Sequence, residues 1–404
     1  MKTATVAVWA VIGGMLLGMW AGGHPDNLPD SLRQIFVADS GQEQSVSDQA
    51  ADLIQGNYFR ATDPDQVEDS SVDGMVRQLR RQYHDRFSHY FTPEQNKQLS
   101  ESLEGSFSGV GMTVGTSSDK GLEVGYVFRK SPAAKAGLKA GDLIVEVDGE
   151  SIRGEDVNLI VAKIKGPEGT DVTLGVRQGG KGKVKDFKLT RAQIRVPITA
   201  NRIREVDGRK LGYVQLTTFS QGAGRALRRA VQRVTDKGAE GIVLDLRDNG
   251  GGLLEEAIYT SSVFLDKGDV VVETRSRTQG NQVFKATGDN LDTPPVVVLV
   301  NRNTASAAEI LAAALQTDLD IPVVGTRTFG KGLFQQVMDL NNGGSLDLSV
   351  GEFLTADGVS LAHKGLKPDV YAPLPKDATR DVQLNRAFGV LSDEVAAGTQ
   401  SDSE

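Results

Sequence analysis

Ile242-Val243-Leu244-Asp245-Leu246-Arg247-Asp248-Asn249-Gly250-Gly251-Gly252-Leu253 decides the fold. Its first half is an apolar run short enough for a strand and too continuous for one wet face, so it reads as a strand buried on both sides. Three glycines then turn the chain into a helical pattern from Leu253 to Leu265. The same order recurs downstream, where the strand Val296 to Val300 leads to a helix from Ala305 to Gln316 and a strand from Ile321 to Val324. Upstream, a strand from Gly212 to Leu216 precedes a helix from Gly224 to Thr235 whose outer face is basic. Apolar strands joined by helical crossovers predict a mostly parallel sheet covered on both faces. Residues 335–370 return to strands and turns, and the acidic tail from Asp393 is expected to be disordered.

The whole chain has 404 residues, 39% hydrophobic and 24% charged, which at roughly 150 residues per domain suggests two or three domains. A net charge of −8 speaks against nucleic acid as a partner. The basic stretch from Arg177 to Arg191 alternates with Val184 and Phe187 and reads as the solvated face of a strand. Cysteine is absent, so disulfides, thiolate nucleophiles and Cys-held metals are excluded. There are four histidines and no H-E-x-x-H, which excludes a zincin, and neither a metal nor a nucleotide cofactor is expected.

Residues 3–23 carry no charge and follow Lys2, the pattern of a signal peptide or signal anchor spanning 1–23. The expected location is extracytoplasmic (periplasmic, cell-surface or secreted), with membrane contact only through residues 3–23. A linker is expected over 24–52 and a helical region over 53–104, where Met75, Leu79, Tyr83 and Phe87 recur every four residues. That helical region is the segment expected to serve self-association or an adaptor. Within it, Thr92-Pro93-Glu94-Gln95 has the form of a helix start.

Residues 105–192 change texture to short strands and turns. Ser131-Pro132-Ala133-Ala134-Lys135-Ala136-Gly137-Leu138 with Gly141-Asp142-Leu143-Ile144 resembles the helix-turn-strand segment of a PDZ domain, and the turn Val147-Asp148-Gly149 fits it. Gly109-Val110-Gly111-Met112 stands where such domains bind a terminal carboxylate. Glycines there let successive backbone N–H groups converge on one anion, and the ligand adds as a strand. With Val110, Met112 and Val114 along the groove, an apolar C-terminal residue is expected.

Ser306 opens an Ala-rich helix, and two readings stand open. Ser-x-x-Glu before an apolar run is a capping box. A hydroxyl beside free N–H groups at the positive end of a helix also suits a nucleophile. Its base would be His363, otherwise a turn residue, or Lys331, in Gly330-Lys331-Gly332-Leu333-Phe334-Gln335. A lysine base at neutral pH must have its pKa brought down by roughly 3, which costs about 4 kcal/mol. Burial against Leu333 and Phe329 would supply that, and Gln335, on the same strand face, would orient the amine without adding charge. Lys331 also reads as an exposed strand lysine, or as a P-loop lysine in which Gly332 replaces the magnesium-binding Ser or Thr. Gly250-Gly251-Gly252 is either a tight turn or an oxyanion site.

Taken together, the motifs resemble the carboxyl-terminal processing (tail-specific) proteases over about Leu53 to Val370. They are Gly105-x-Phe107-x-Gly109-Val110-Gly111, the PDZ-like segment, Leu244 to Gly252, Asn303 to Glu309, Gly325-x-x-x-Phe329-Gly330-Lys331-Gly332 with Gln335, and Lys364 to Val370. Gly250 stands where many relatives have Pro, and Ala308 where many have Ser. The resemblance implies a multidomain α/β protein: an N-terminal helical region, a β-rich PDZ domain and, over 193–392, an α/β crotonase-like (ClpP/crotonase-type) protease core. It implies Ser306 as nucleophile, Lys331 as general base, Gln335 as its partner, and an oxyanion hole from Gly251 and Ala307. The resulting expectation is an exported serine endopeptidase acting on proteins with apolar C-terminal tails. The competing expectation is a catalytically inactive PDZ scaffold that binds such tails.

Overall fold

The structure, a computed structural model, describes residues 45–401 apart from Asp119, Asp156, Asp289, Lys376, Asp377 and Thr379. The expected export segment and most of the expected linker lie outside the described residues. Residues up to Arg81 form one compact unit and those from Gln82 another. Helix α1 (Val46–Asn57) begins inside the stretch read as linker, because Ser45 caps it by accepting from the Asp48 N–H at 3.2 Å. Helix α2 (Pro64–Tyr83) carries Met75, Leu79 and Tyr83 of the expected stripe, which are exposed rather than packed, and it ends before Phe87, which lies in the following loop.

Within the second unit, the helical region expected over 53–104 is interrupted by strand β1 (His89–Phe91), which pairs antiparallel with residues 345–347. Alternating burial of β1, with Tyr90 inward, explains why a helix does not continue there. Helix α3 (Pro93–Leu103) starts as expected, with Thr92 accepting from the Gln95 N–H and Pro93 in the first turn.

The β-rich module comprises β2 (Ser106–Gly109), β3 (Met112–Ser118), β4 (Gly121–Val127), α4 (Pro132–Ala136), β5 (Leu143–Val147), β6 (Glu150–Ser151), α5 (Val157–Ile164), β7 (Asp171–Arg177), β8 (Lys185–Thr190) and β9 (Ala192–Arg195). Its sheet runs β3-β4-β5-β7-β8, and β2 pairs with β9 where the chain enters and leaves. Leu122, Val124, Ile144, Leu174 and Val176 fill its core against Ala133, Leu138 and Ile160. Lys185 and Lys188 are exposed on β8, while Phe187 packs against that core.

The remaining chain forms β10 (Thr199–Val206), β11 (Arg209–Leu216), α6 (Ala223–Thr235), β12 (Gly241–Asp245), α7 (Leu254–Ser261), β13 (Val270–Ser276), β14 (Gly280–Lys285), β15 (Val296–Val300), α8 (Ala307–Leu319), β16 (Val323–Gly325), β17 (Leu333–Asp339), β18 (Ser345–Leu354), β19 (Val370–Tyr371) and α9 (Val382–Ser401). The main sheet is ordered β10-β11-β12-β15-β16-β19 and is parallel from β11 onward. Alternate residues of β12 serve opposite cores. Ile242 and Leu244 pack with α6, α7 and α8, whereas Val243 packs with α9. This double burial is why the strand reads as an unbroken apolar run. A second, antiparallel sheet is ordered β1-β18-β13-β14, with β17 on β18.

The expectation of a disordered tail from Asp393 is corrected. Helix α9 runs to Ser401, because Leu384, Ala387, Phe388, Leu391 and Val395 recur at helical spacing and bury against the sheet. Arg247 fixes the start of this helix, reaching both Asp245 (2.7 Å) and Asp381 (2.8 Å). Leu391→Ala is therefore expected to cost about 2–5 kcal/mol in denaturant unfolding. Deleting residues 393–404 should also lower the unfolding midpoint through loss of Val395, whereas loss of a disordered tail would leave it unchanged.

Candidate active site

The start of α8 and the loop before β17 meet at one carboxylate. Glu309, 1% exposed in the first turn of α8, accepts through Oε2 from the Ser306 N–H and the Lys331 N–H, each at 2.9 Å. Its Oε1 accepts from the Gly330 N–H at 2.8 Å and from the Thr328 hydroxyl. Ser306 and Lys331, 25 residues apart in the sequence, thus have their backbones bound to the same oxygen. Two backbone bonds reinforce the seam, from the Phe329 N–H to the Thr304 carbonyl (2.9 Å) and from the Ala305 N–H to the Asn249 carbonyl (3.0 Å).

The backbone at Ser306 separates the two readings of that residue. An ordinary N-cap is extended, yet Ser306 has φ +56° and ψ −122°. A non-glycine residue in that region stores about 1–3 kcal/mol of strain, a cost that capping does not require and that concentrates at functional sites. Glu309 does fulfil its part of the box by accepting from the Ser306 N–H. Ala307 begins the helix, so its N–H has no intrahelical acceptor.

Gly251 lies against this corner at φ +96°, a conformation that favours glycine. A Cβ there would stand 2.9 Å from both the Ala307 nitrogen and the Ser306 Cβ. The Gly251 N–H donates to Asn249 Oδ1 at 2.9 Å, and Asn249 Nδ2 donates to the Leu216 carbonyl at 2.8 Å. Asn249, fully buried, holds the Gly251 N–H, a part that the glycine-run signal does not point to. Next to it, the Asn303 and Asn301 amides donate to Asp248, hold its carboxyl below the usual range, and clamp this loop to the one bearing Ser306.

Lys331 is half-buried, and burial pulls its amine below the ordinary lysine range, with the Asp347 carboxylate opposing. Burial in turn pushes Asp347 up, against the pull of Lys331 and His89. The expected apolar neighbour Phe329 is 55% exposed, so it is not the main cover. The ring beneath the ammonium is Phe87, whose centroid lies 5.2 Å from Lys331 Nζ. Among the described residues no hydrogen bond joins Lys331 Nζ to the Ser306 hydroxyl.

Among the described residues no hydrogen bond joins Gln335 to the Lys331 amine. Its Nε2 donates to the Leu333 carbonyl (3.3 Å) and to Ser349 Oγ (3.2 Å). The expected shared face of Lys331, Leu333 and Gln335 fails because β17 starts only at Leu333 and its register with β18 shifts between Phe334 and Gln335. His363 occupies a turn at φ +60°, its N–H on the Gly330 carbonyl. A strand rather than a helix follows Gly332, which removes the P-loop reading. Among the described residues no cluster of three or more His, Asp or Glu could hold a metal.

In the β-rich module, Gly109, Val110, Gly111 and Met112 line a cleft of about 140 Å³ with Phe107 and Val114, facing Val161, Ile164 and Lys165 at the end of α5. Gly111 is fixed there by φ +80° and by Ser131, whose Cβ a side chain would meet at 2.3 Å. Such a strand-helix cleft admits an added strand and an apolar terminal side chain.

The family model of Peptidase family S41 matches residues 210–372, and a PDZ-domain model matches 123–178. The carboxy-terminal processing protease CtpA of Bacillus subtilis is 38% identical over 81% of this chain and 68% of its own length. CtpB of the same organism is 32% identical over 84% of this chain and 70% of its own. A putative S41 protease from Bacteroides fragilis, 21% identical, shares the fold with a TM-score of 0.55 over 85% of this chain and 97% of its own.

Gly251→Ala places a methyl group 2.8 Å from the Ala305 carbonyl and in a strained backbone region. If this corner receives an oxyanion, turnover should fall by about 10²–10³-fold with the fold retained by circular dichroism.

Proposed function

The chain belongs to peptidase family S41, and from that premise we propose an exported endopeptidase that engages the apolar C-terminal tails of proteins and cleaves them with a Ser306/Lys331 dyad. It is a serine protease of the C-terminal processing group and carries a PDZ domain. The observation that carries the dyad is the Glu309 carboxylate, which holds the strained Ser306 and the loop of the half-buried Lys331 on one oxygen.

In the proposed reaction Lys331, as the free amine, takes the proton of Ser306 Oγ while that oxygen bonds to the scissile carbonyl carbon. The carbonyl oxygen becomes an oxyanion facing the N–H groups of Ala307 and Gly251. The Gly251 N–H must then leave Asn249 Oδ1, or share it. Collapse of the tetrahedral intermediate breaks the C–N bond, and Lys331 returns the proton to the leaving amine. Water attacks the acyl-enzyme by the same route and restores Ser306. The cleft at Gly109–Met112 holds the substrate's terminal carboxylate in this reading.

Export rests on the uncharged run over 3–23. Among the described residues no helix is long and apolar enough to cross a membrane.

The full chain lacking residues 1–23, mixed with an unstructured protein ending in apolar residues, should cleave it, as followed by mass spectrometry. Ser306→Ala and Lys331→Ala should abolish cleavage with folding intact. Tail binding without cleavage by the parent would favour the inactive scaffold. Because Lys331 acts unprotonated, the rate should rise with pH through a midpoint below the ordinary lysine range. A chemically limited rate that is flat from about pH 5 to 9 would contradict the lysine base. Val161→Asp, which adds charge to the apolar cleft, should weaken tail binding more than it slows cleavage of short peptides.

A further inference from the structure

The loop Asp85-Arg86-Phe87-Ser88, between α2 and β1, carries side chains that reach both Lys331 and the neighbourhood of Gln335. Asp85 is its organiser. Oδ1 accepts from the Phe87 N–H (2.8 Å), the Ser88 N–H (3.2 Å) and Ser349 Oγ (3.2 Å), and Oδ2 accepts from the Ser88 hydroxyl. Burial opposes ionisation of Asp85, yet these donors hold its carboxyl below the usual range. Ser88, 1% exposed, in turn accepts from the Ser349 N–H at 3.0 Å and so pins the loop to β18. Ser349 Oγ also accepts from Gln335 Nε2 at 3.2 Å. The Phe87 carbonyl is engaged by His89 Nδ1 at 2.7 Å. What this bonding holds in place is the Phe87 ring, under the Lys331 ammonium and edge-on to Phe329, with the two ring centroids 6.4 Å apart.

We propose that Phe87 is a positioning residue for Lys331, and that the Asp85–Ser88–Ser349 network is the latch that sets Phe87 in place. Neither the resemblance nor any motif discussed above gives this loop a role at Lys331. The inference rests on Lys331 having the part proposed for it, but it can be tested without activity. An aromatic face does two opposed things to an ammonium group. It excludes water, which favours the neutral amine, and it attracts the cation, which favours the charged form. The charged group that acts on Lys331 is Asp347 on β18, which His89 on β1 and Asp85 in the loop influence in turn, while Glu309 holds the Lys331 backbone. None of them changes when Phe87 does, so substitutions there separate the two effects.

The test is the pH dependence of Lys331 modification by an amine-acylating reagent, read by mass spectrometry on the full chain lacking residues 1–23. Phe87→Leu keeps the apolar cover and removes the ring face, so the labelling midpoint should fall by about half a pH unit or more. Phe87→Ala admits water and should raise it. Ser88→Ala loosens the latch without changing charge and should move the midpoint in the same direction as Phe87→Ala, by less. General loosening of the fold would not shift Leu and Ala variants in opposite directions. Unmoved midpoints, or shifts of one sign for both Phe87 variants, would overturn the proposal. The acid limb of cleavage should track the labelling midpoint across the series. If labelling shifts while that limb stays fixed, Phe87 positions Lys331 but the lysine is not the base, so the two readings fail separately.

Discussion

The carboxylate of Glu309 is the constraint on which the rest of the site depends. Its two oxygens take four donors, three of them backbone N–H groups from two different loops. A buried carboxylate is costly unless its lone pairs are satisfied, and here satisfying them requires the Ser306 turn and the Thr328–Lys331 loop to meet. The strain at Ser306 is borne by the same bonds. The Thr328 hydroxyl that donates to Glu309 also accepts from the Leu366 N–H at 2.7 Å, which extends the junction to the Lys364–Val370 segment. Motifs far apart in the chain are thereby one physical unit.

The scaffold around that unit is built for rigidity. The strands leading to the Asn249 and Ser306 turns, β12 and β15, are fully buried and paired in parallel. Helices α6 to α8 cover one face of the sheet and α9 covers the other. Turns at the C-terminal ends of such strands inherit their precision from a core that cannot shift locally. The Lys331 side is different in kind, since it depends on an antiparallel sheet, a register shift in β17 and a loop latched by hydrogen bonds.

Much of this was legible in the sequence because its signals are local. Unbroken apolar runs mark strands buried on both faces, glycines mark the corners at Gly111 and Gly251, and Thr92-Pro93 marks a helix start. Pairwise geometry was not legible. Phe87 and Lys331 are 244 residues apart, and nothing in either segment announces the contact. Gln335 was placed on the face of Lys331 by simple alternation, which a register shift in β17 defeats. The tail misled because its charges suggested disorder, while Leu391 and Val395 continue a buried helical stripe begun upstream. Asn249 was hidden by the glycines beside it, although a buried asparagine before a glycine run has donors and an acceptor to place.

The most direct test of the account is the rate at which a fluorophosphonate labels Ser306 in the parent and in Glu309→Gln. The amide is nearly isosteric, but it presents a donor to N–H groups that themselves donate, so the two loops should part. Labelling at Ser306 is expected in the parent, with a drop in Glu309→Gln to the level of Lys331→Ala and the fold retained. Labelling of Glu309→Gln at the parent rate would contradict it, since the serine and lysine would then need no shared carboxylate to work together.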